Sequence, residues 1–153
     1  MGVDDNKEAI KRLIEHDWSA ATQGNPDVLH TYFASQYVSH TPLHHDADAK
    51  GVEGLKTAAQ HTGDSASDLR MRVDLLVAEG DMVVAHWSSK SRRTGRRHYR
   101  HVGPVDPHNQ EIELSGVVIF RFDEGKIVEG WSYDNHLDTL AEHGLVVAAG
   151  REA

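Results

Sequence analysis

Asp134 is the residue of this chain whose type and setting best suit it to move a proton. It lies in the run Trp131-Ser132-Tyr133-Asp134-Asn135, where aromatic neighbours can strip water from a carboxylate. A desolvated carboxylate holds its proton nearer neutral pH and can take one from carbon beside a carbonyl. Asp and Asn are equally suited to cap a helix, so Asp134 also reads as the N-cap of the helix that follows. His40, in Tyr37-Val38-Ser39-His40-Thr41-Pro42, is a second group able to donate or shuttle a proton. Trp87 shares a strand face with Ser89, Ser91 and Arg93, and Arg93 there would grip a carboxylate or ester oxygen, or else sit solvated in a loop.

Two further clusters invite chemistry. His40, His44 and His45 stand with Asp46 and Asp48 in one loop, but their spacing matches neither a helical i, i+4 pair nor a zinc signature, so no metal is expected. Lys90 to Arg100 carries six Lys or Arg residues and reads as the solvated tip of a hairpin, with anion binding as its alternative. There is no Gly-x-Ser-x-Gly elbow for a serine hydrolase and no glycine-rich loop for nucleotide phosphates.

The elements that must position these residues follow from periodicity. Ile10, Leu13, Ile14, Trp18 and Ala21 recur at helical steps within Asp4 to Thr22, and Gly24-Asn25-Pro26 ends that helix. Pro26 opens a second, shorter helix over Asp27 to Phe33; Tyr37 to Pro42 is extended; a third helix runs from Gly51 to the stop at Gly63-Asp64-Ser65. Strands are predicted over Leu69 to Ala78, Met82 to Ser91, Ile112 to Phe122 and Lys126 to Tyr133. Val102 to Gln110, with two prolines, reads as a loop, and a short amphipathic helix closes the last third of the chain. Helices followed by hairpin-linked strands predict an α+β domain: a curved antiparallel sheet packed on three helices, cone-shaped, with an internal pocket.

Composition narrows the possibilities. The 153 residues suffice for one substantial core, so residues 1–153 are read as a single domain. A net charge of -8 disfavours nucleic acid as the main partner, and no apolar run approaches the ~18 residues needed to span a bilayer. The first residues, MGVDDNKEAIKRLIEH, lack the apolar core of a secretory signal, and the absence of cysteine fits a reducing compartment. A soluble cytoplasmic protein is expected.

In their order and spacing, Tyr37-Val38-Ser39-His40-Thr41-Pro42, Gly51-Val52-Glu53-Gly54-Leu55, Ala78-Glu79-Gly80-Asp81 through Trp87, Thr94-Gly95, and Ile119-Phe120-Arg121 through Gly125-Lys126-Ile127-Val128-Glu129 to Trp131 carry a resemblance. Together they resemble the SnoaL-like polyketide cyclase branch of the nuclear transport factor 2-like superfamily, over nearly the whole chain. The resemblance implies a mostly apolar pocket, aldol-type ring closure without metal or cofactor, and homodimers or homotetramers formed through the outer sheet face. It places His40 near the pocket and turns the Trp87 face toward it. Relatives in the superfamily include ketosteroid isomerase, scytalone dehydratase and limonene epoxide hydrolase, and others only bind or oligomerise.

In the family pattern the functional Asp stands four residues after the strand Trp. Counted from Trp131, that slot holds Asn135, and Asp134 comes one residue early. A one-residue offset turns a side chain to the other face, so Asp134 replaces the family acid only if the strand bulges or the helix starts early. The expected function is cofactor-independent acid/base chemistry on a hydrophobic carbonyl-bearing small molecule, an aldol-type cyclisation or related isomerisation. Asp134 and His40 would be catalytic, and Trp87, Arg93, Trp131, Tyr133 and Asn135 would bind substrate. The alternative is a noncatalytic ligand-binding or oligomeric module of the same fold, in which an inward Asn135 orients a carbonyl without acting as a base.

Overall fold

Apolar residues three and four apart wind the first segment into α1 (Val3–Arg12), which continues through a π-helical turn, Leu13–Asp17, into α2 (Trp18–Thr22). The extra residue of the π turn rotates the apolar stripe. Ile10 and Ala21 enter the core, while Leu13, Ile14 and Trp18 also border an internal cavity. The computed structural model describes residues 2–40, 50–99 and 103–144.

The second helix is shorter than its sequence suggests: Pro26–Thr31 forms a 3-10 helix, and Phe33 already begins β1 (Phe33–Ser39). The cause is tertiary, because the Ile127 backbone N–H donates to the Tyr32 carbonyl at 2.8 Å and draws the chain into the sheet there. After α3 (Gly51–Ser65) come β2 (Ala66–Glu79), β3 (Met82–Arg93), a small hairpin of β4 (Arg97–Tyr99) and β5 (Gly103–Val105), then β6 (Glu111–Asp123), β7 (Lys126–Asp134) and α4 (His136–Glu142). The segment expected as a loop before β6 thus contributes β5, which pairs with β4.

The main sheet runs β1-β7-β6-β3-β2 and is curved and unclosed over the helices. It is mixed rather than wholly antiparallel, since β1 pairs with β7 in parallel. Hairpin turns force β2–β3 and β6–β7 to be antiparallel, but β1 joins its neighbour from far away in sequence and is free of that constraint. Two register shifts in β2, with Asp68 at a positive φ, are irregularities of the bulge kind that bend a strand. Among the described residues no helix is long and apolar enough to cross a membrane.

The core lies between the helices and one face of the sheet, supplied by alternate residues: Val83, Ala85 and Trp87 from β3, and Ile112, Leu114, Val118, Phe120 and Phe122 from β6. The sequence interrupts the β6 series with Gly116, because the Trp87 ring lies across that position. A Cβ there would sit 2.5 Å from the Tyr133 backbone carbonyl oxygen and 2.6 Å from the indole. Gly116→Ala is therefore expected to destabilise the fold by about 1–3 kcal/mol through overpacking, measurable by urea unfolding. A loss below about 0.5 kcal/mol, the range of an ordinary surface change, would show that neither the indole nor the β7 backbone at Tyr133 is held in place.

Candidate functional site

Between the inner sheet face and the helices is a cavity of about 840 Å³. Leu13, Trp18, Leu55, Met71 and Phe120 give it apolar walls. The inner face of β3 changes character along its length, from Val83 and Ala85 through Trp87 to Ser89, Ser91 and Arg93. The cavity is consequently greasy over most of its wall and polar at one end, where Arg97, Asp134 and His136 also line it.

Asp134 is on the cavity wall and Asn135 is not. The reason is a bulge: Arg121 pairs with Glu129 and Phe122 with Ile127, leaving Val128 without a partner on β6. The extra residue reverses the alternation of β7, so that after the buried Ile127 the inward positions are Gly130, Ser132 and Asp134. In the sheet, Trp87, Gly116 and Asp134 fall in one cross-strand row. The Asp134 side chain is 9% exposed. The N-cap position of α4 is Asn135 rather than Asp134, but Asp134 Oδ1, one residue earlier, accepts the backbone N–H of His136, the first helical residue, at 3.0 Å and so ties down the start of α4.

The same bulge corrects two expected wall residues. Trp131 and Tyr133 take the outward positions, away from the cavity, and Tyr133 is 55% exposed. His40 is corrected with them: its ring stacks on Trp131 at 4.8 Å, and its Nε2 lies 2.8 Å from Glu129 Oε2 on that outer face. Glu129 also accepts from Arg121 Nε at 2.8 Å. Arg121 first, and then His40, hold the Glu129 carboxyl below the usual carboxylate range. Asn135 instead ties α4 to β6, its Oδ1 accepting from the Ser115 N–H at 3.0 Å. Trp87 and Arg93 do line the cavity, as their shared strand face predicts.

Arg93 is not solvated; it is 5% exposed. Its Nη2 donates to His136 Nε2 at 3.0 Å. A guanidinium can only donate, so Nε2 is the accepting nitrogen and the neutral ring carries its proton on Nδ1. That Nδ1 lies 3.0 Å from Asp134 Oδ2, though the N–H is not aligned for a hydrogen bond, and the contact is chiefly electrostatic. Arg97 donates from Nη1 to Thr62 Oγ1 at 3.0 Å and sits 5.6 Å from the centre of the Tyr99 ring, which in turn neighbours His136. Burial, and then the positive charges of His143 and Arg93, depress the His108 imidazole below its ordinary value.

Three cavity residues were not legible as such. His136 is two residues from Asp134, a spacing without meaning until α4 folds the ring back over the strand end. Arg97 belongs to a basic segment that looks like a hairpin tip. Tyr37 is one of several aromatics on an extended run, yet it lines the cavity and is buried, with its hydroxyl where a Cβ on Gly130 would fall. His44, His45, Asp46 and Asp48 lie outside the described residues. Among the described residues no three His, Asp or Glu side chains converge as a metal site would need.

A family model described as SnoaL-like polyketide cyclase matches residues 10–143. No curated protein sequence matches the chain. Among solved structures, TsrD from Streptomyces laurentii aligns with a TM-score of 0.74 at 23% identity, covering 92% of this chain and 98% of that one. IdmH from Streptomyces antibioticus, a proposed polyketide cyclase, aligns with a TM-score of 0.69 at 23% identity over 91% of this chain and 98% of its own. A SnoaL-like polyketide cyclase from Agrobacterium tumefaciens gives 0.67 at 12% identity, covering 94% and 98%. At these identities the structural likeness establishes the fold.

Burial raises the Tyr37 phenol from 10 to about 12, against a smaller opposing effect of the Ser39 hydroxyl. The folded state therefore holds this proton more tightly than the unfolded chain. The associated stability is complete below pH 10 and is lost as pH rises towards 12. Its size is on the order of 2–3 kcal/mol. Urea unfolding across that range is expected to show a shallower alkaline loss for Tyr37→Phe than for the native protein, and equal slopes would mean the phenol ionises without opening the core.

Proposed function

The chain belongs to the SnoaL-like polyketide cyclase family, and from that premise we propose that it performs cofactor-independent acid/base chemistry on a hydrophobic, carbonyl-bearing small molecule held in the cavity. The observation that carries this reading is the inward Asp134, in the row of Trp87 and Gly116 and almost out of solvent. Asp134 takes a proton from the carbon beside the carbonyl. The electron pair moves onto the carbonyl oxygen; the resulting enolate attacks a second carbonyl of the same molecule, whose oxygen takes the proton back from Asp134, or, where a β,γ double bond conjugates with it, is reprotonated by Asp134 at the γ carbon. Ser89 and Ser91, buried on the same wall, offer hydroxyl donors to the enolate oxygen, where preorganised donors act most strongly. His136 keeps Asp134 in place through its backbone N–H and its polarised ring.

A binding module without turnover is the second reading, favoured by the tie to the start of α4, a role that Asp134 would fill without any catalysis. Exchange of the acidic hydrogens of β-tetralone for deuterium, followed by proton NMR, separates the two. The native protein is expected to accelerate exchange and Asp134→Asn to lower it by about a hundredfold or more, the usual worth of a positioned base. Exchange indifferent to that substitution would remove the enzyme reading.

The outer sheet face exposes Leu75, Val77 and Tyr133, which supports assembly into a homodimer or homotetramer through that face. Leu75→Glu is expected to yield monomers in sedimentation velocity, and an unchanged assembly would move the interface elsewhere. A cytoplasmic location rests on the cysteine-free sequence.

A further inference from the structure

We propose that the molecule this cavity takes bears a carboxylate, and that Arg93 receives it at the polar end. The inference rests on the reading of the cavity as a small-molecule site and names the class of molecule.

The argument is one of unbalanced charge. Arg93 is buried, and its guanidinium stays protonated at any physiological pH. A buried cation is stable only when an opposite charge and hydrogen-bond acceptors replace the water it has lost. Among the described residues no carboxylate forms an ion pair with it. Its Nη2 is used on a neutral imidazole, and its Nε is buried with no acceptor. Arginines nearer solvent show the reverse, for the exposed Arg72 meets Asp74 at 2.8 Å, the exposed Arg96 meets Asp106 at 3.0 Å, and the half-buried Arg121 is bonded to Glu129. Acidic residues are not scarce in a chain of net charge -8. Water could pair those exposed cations at little cost, whereas the buried one needs a partner and faces open cavity.

The neighbouring charges point the same way. Arg97 lines the same end, is 8% exposed, and donates to Thr62 Oγ1, so a second guanidinium stands on that wall. In Arg93, Nη1 is the guanidinium nitrogen that neither bonds His136 nor is closed off, and its N–H groups are the donors that a carboxylate of the bound molecule would take. The apolar remainder of the cavity would take an uncharged ring or acyl body. The molecule is then amphipathic, with its acid at the Arg93 end and its reacting carbonyl nearer Asp134.

Binding of β-naphthoate, β-naphthamide and methyl β-naphthoate, followed by tryptophan fluorescence with Trp87 on the cavity wall, tests this directly. The native protein is expected to bind the acid at least tenfold more tightly than either neutral analogue. Arg93→Met is expected to abolish that preference, and Arg93→Lys to keep it in reduced form, which secures the test should the methionine variant fold poorly. Asp134→Asn removes a negative charge and is expected to keep or strengthen the preference for the acid. A native protein that binds the acid no better than the amide, or not at all, overturns the proposal, as does an Arg93→Lys variant with unaltered preference. Preference for the acid without β-tetralone exchange would leave this inference standing and the catalytic reading fallen. Exchange dependent on Asp134 without preference for the acid would do the opposite.

Discussion

Val128 has no partner on β6, and the facing of every later residue in β7 follows from that one bulge. A strand presents alternate side chains to opposite faces, so a single unpaired residue exchanges the two sets. Without it Glu129, Trp131, Tyr133 and Asn135 would take the inner face and Asp134 would point outward. With it Ser132 and Asp134 face inward, and the aromatics go outside to stack with His40. The inward carboxylate at the polar end therefore depends on a local irregularity of the sheet as much as on the presence of an aspartate.

From Asp134 the polar end is assembled by short contacts between elements far apart in sequence. His136, the first residue of α4, stands between the carboxylate and the Arg93 guanidinium at the end of β3. Each contact restricts the next: the guanidinium fixes which imidazole nitrogen accepts, and the other nitrogen turns its proton's side toward the acid. Such a series holds its members in register only where water is excluded, and the burial of Arg93 and Asp134 supplies that condition. On the outer face a comparable set, Arg121, Glu129 and His40, is more exposed and pairs its charges directly.

Family and fold set a frame in which many chemistries are possible. In this chain an apolar cavity wall meets a polar end where, among the described residues, two buried arginines and one carboxylate stand. The reading as an enzyme needs the carboxylate, whereas the proposed carboxylate-bearing ligand rests on Arg93.

Much of the architecture was legible from the residues. Helical spacing of Ile10, Leu13, Ile14 and Ala21, the start at Gly51, and the turns at Gly80 and Gly125 all locate elements that form as read, because each depends on interactions within a few residues. The Trp87, Ser89, Ser91, Arg93 face was legible for the same reason, being plain alternation. The parallel pairing of β1, the shortened second helix and the bulge at Val128 were not, since each is imposed by a partner distant in the chain. Amino-acid sequence by itself determined an α+β fold with a candidate acid near its last strand. Only the tertiary structure decided that Asp134 rather than Asn135 faces inward, that His40 lies outside, and that Arg93 is buried beside His136. Side-chain facing depends on register, and register is settled by pairing between strands rather than by the order of residues within one.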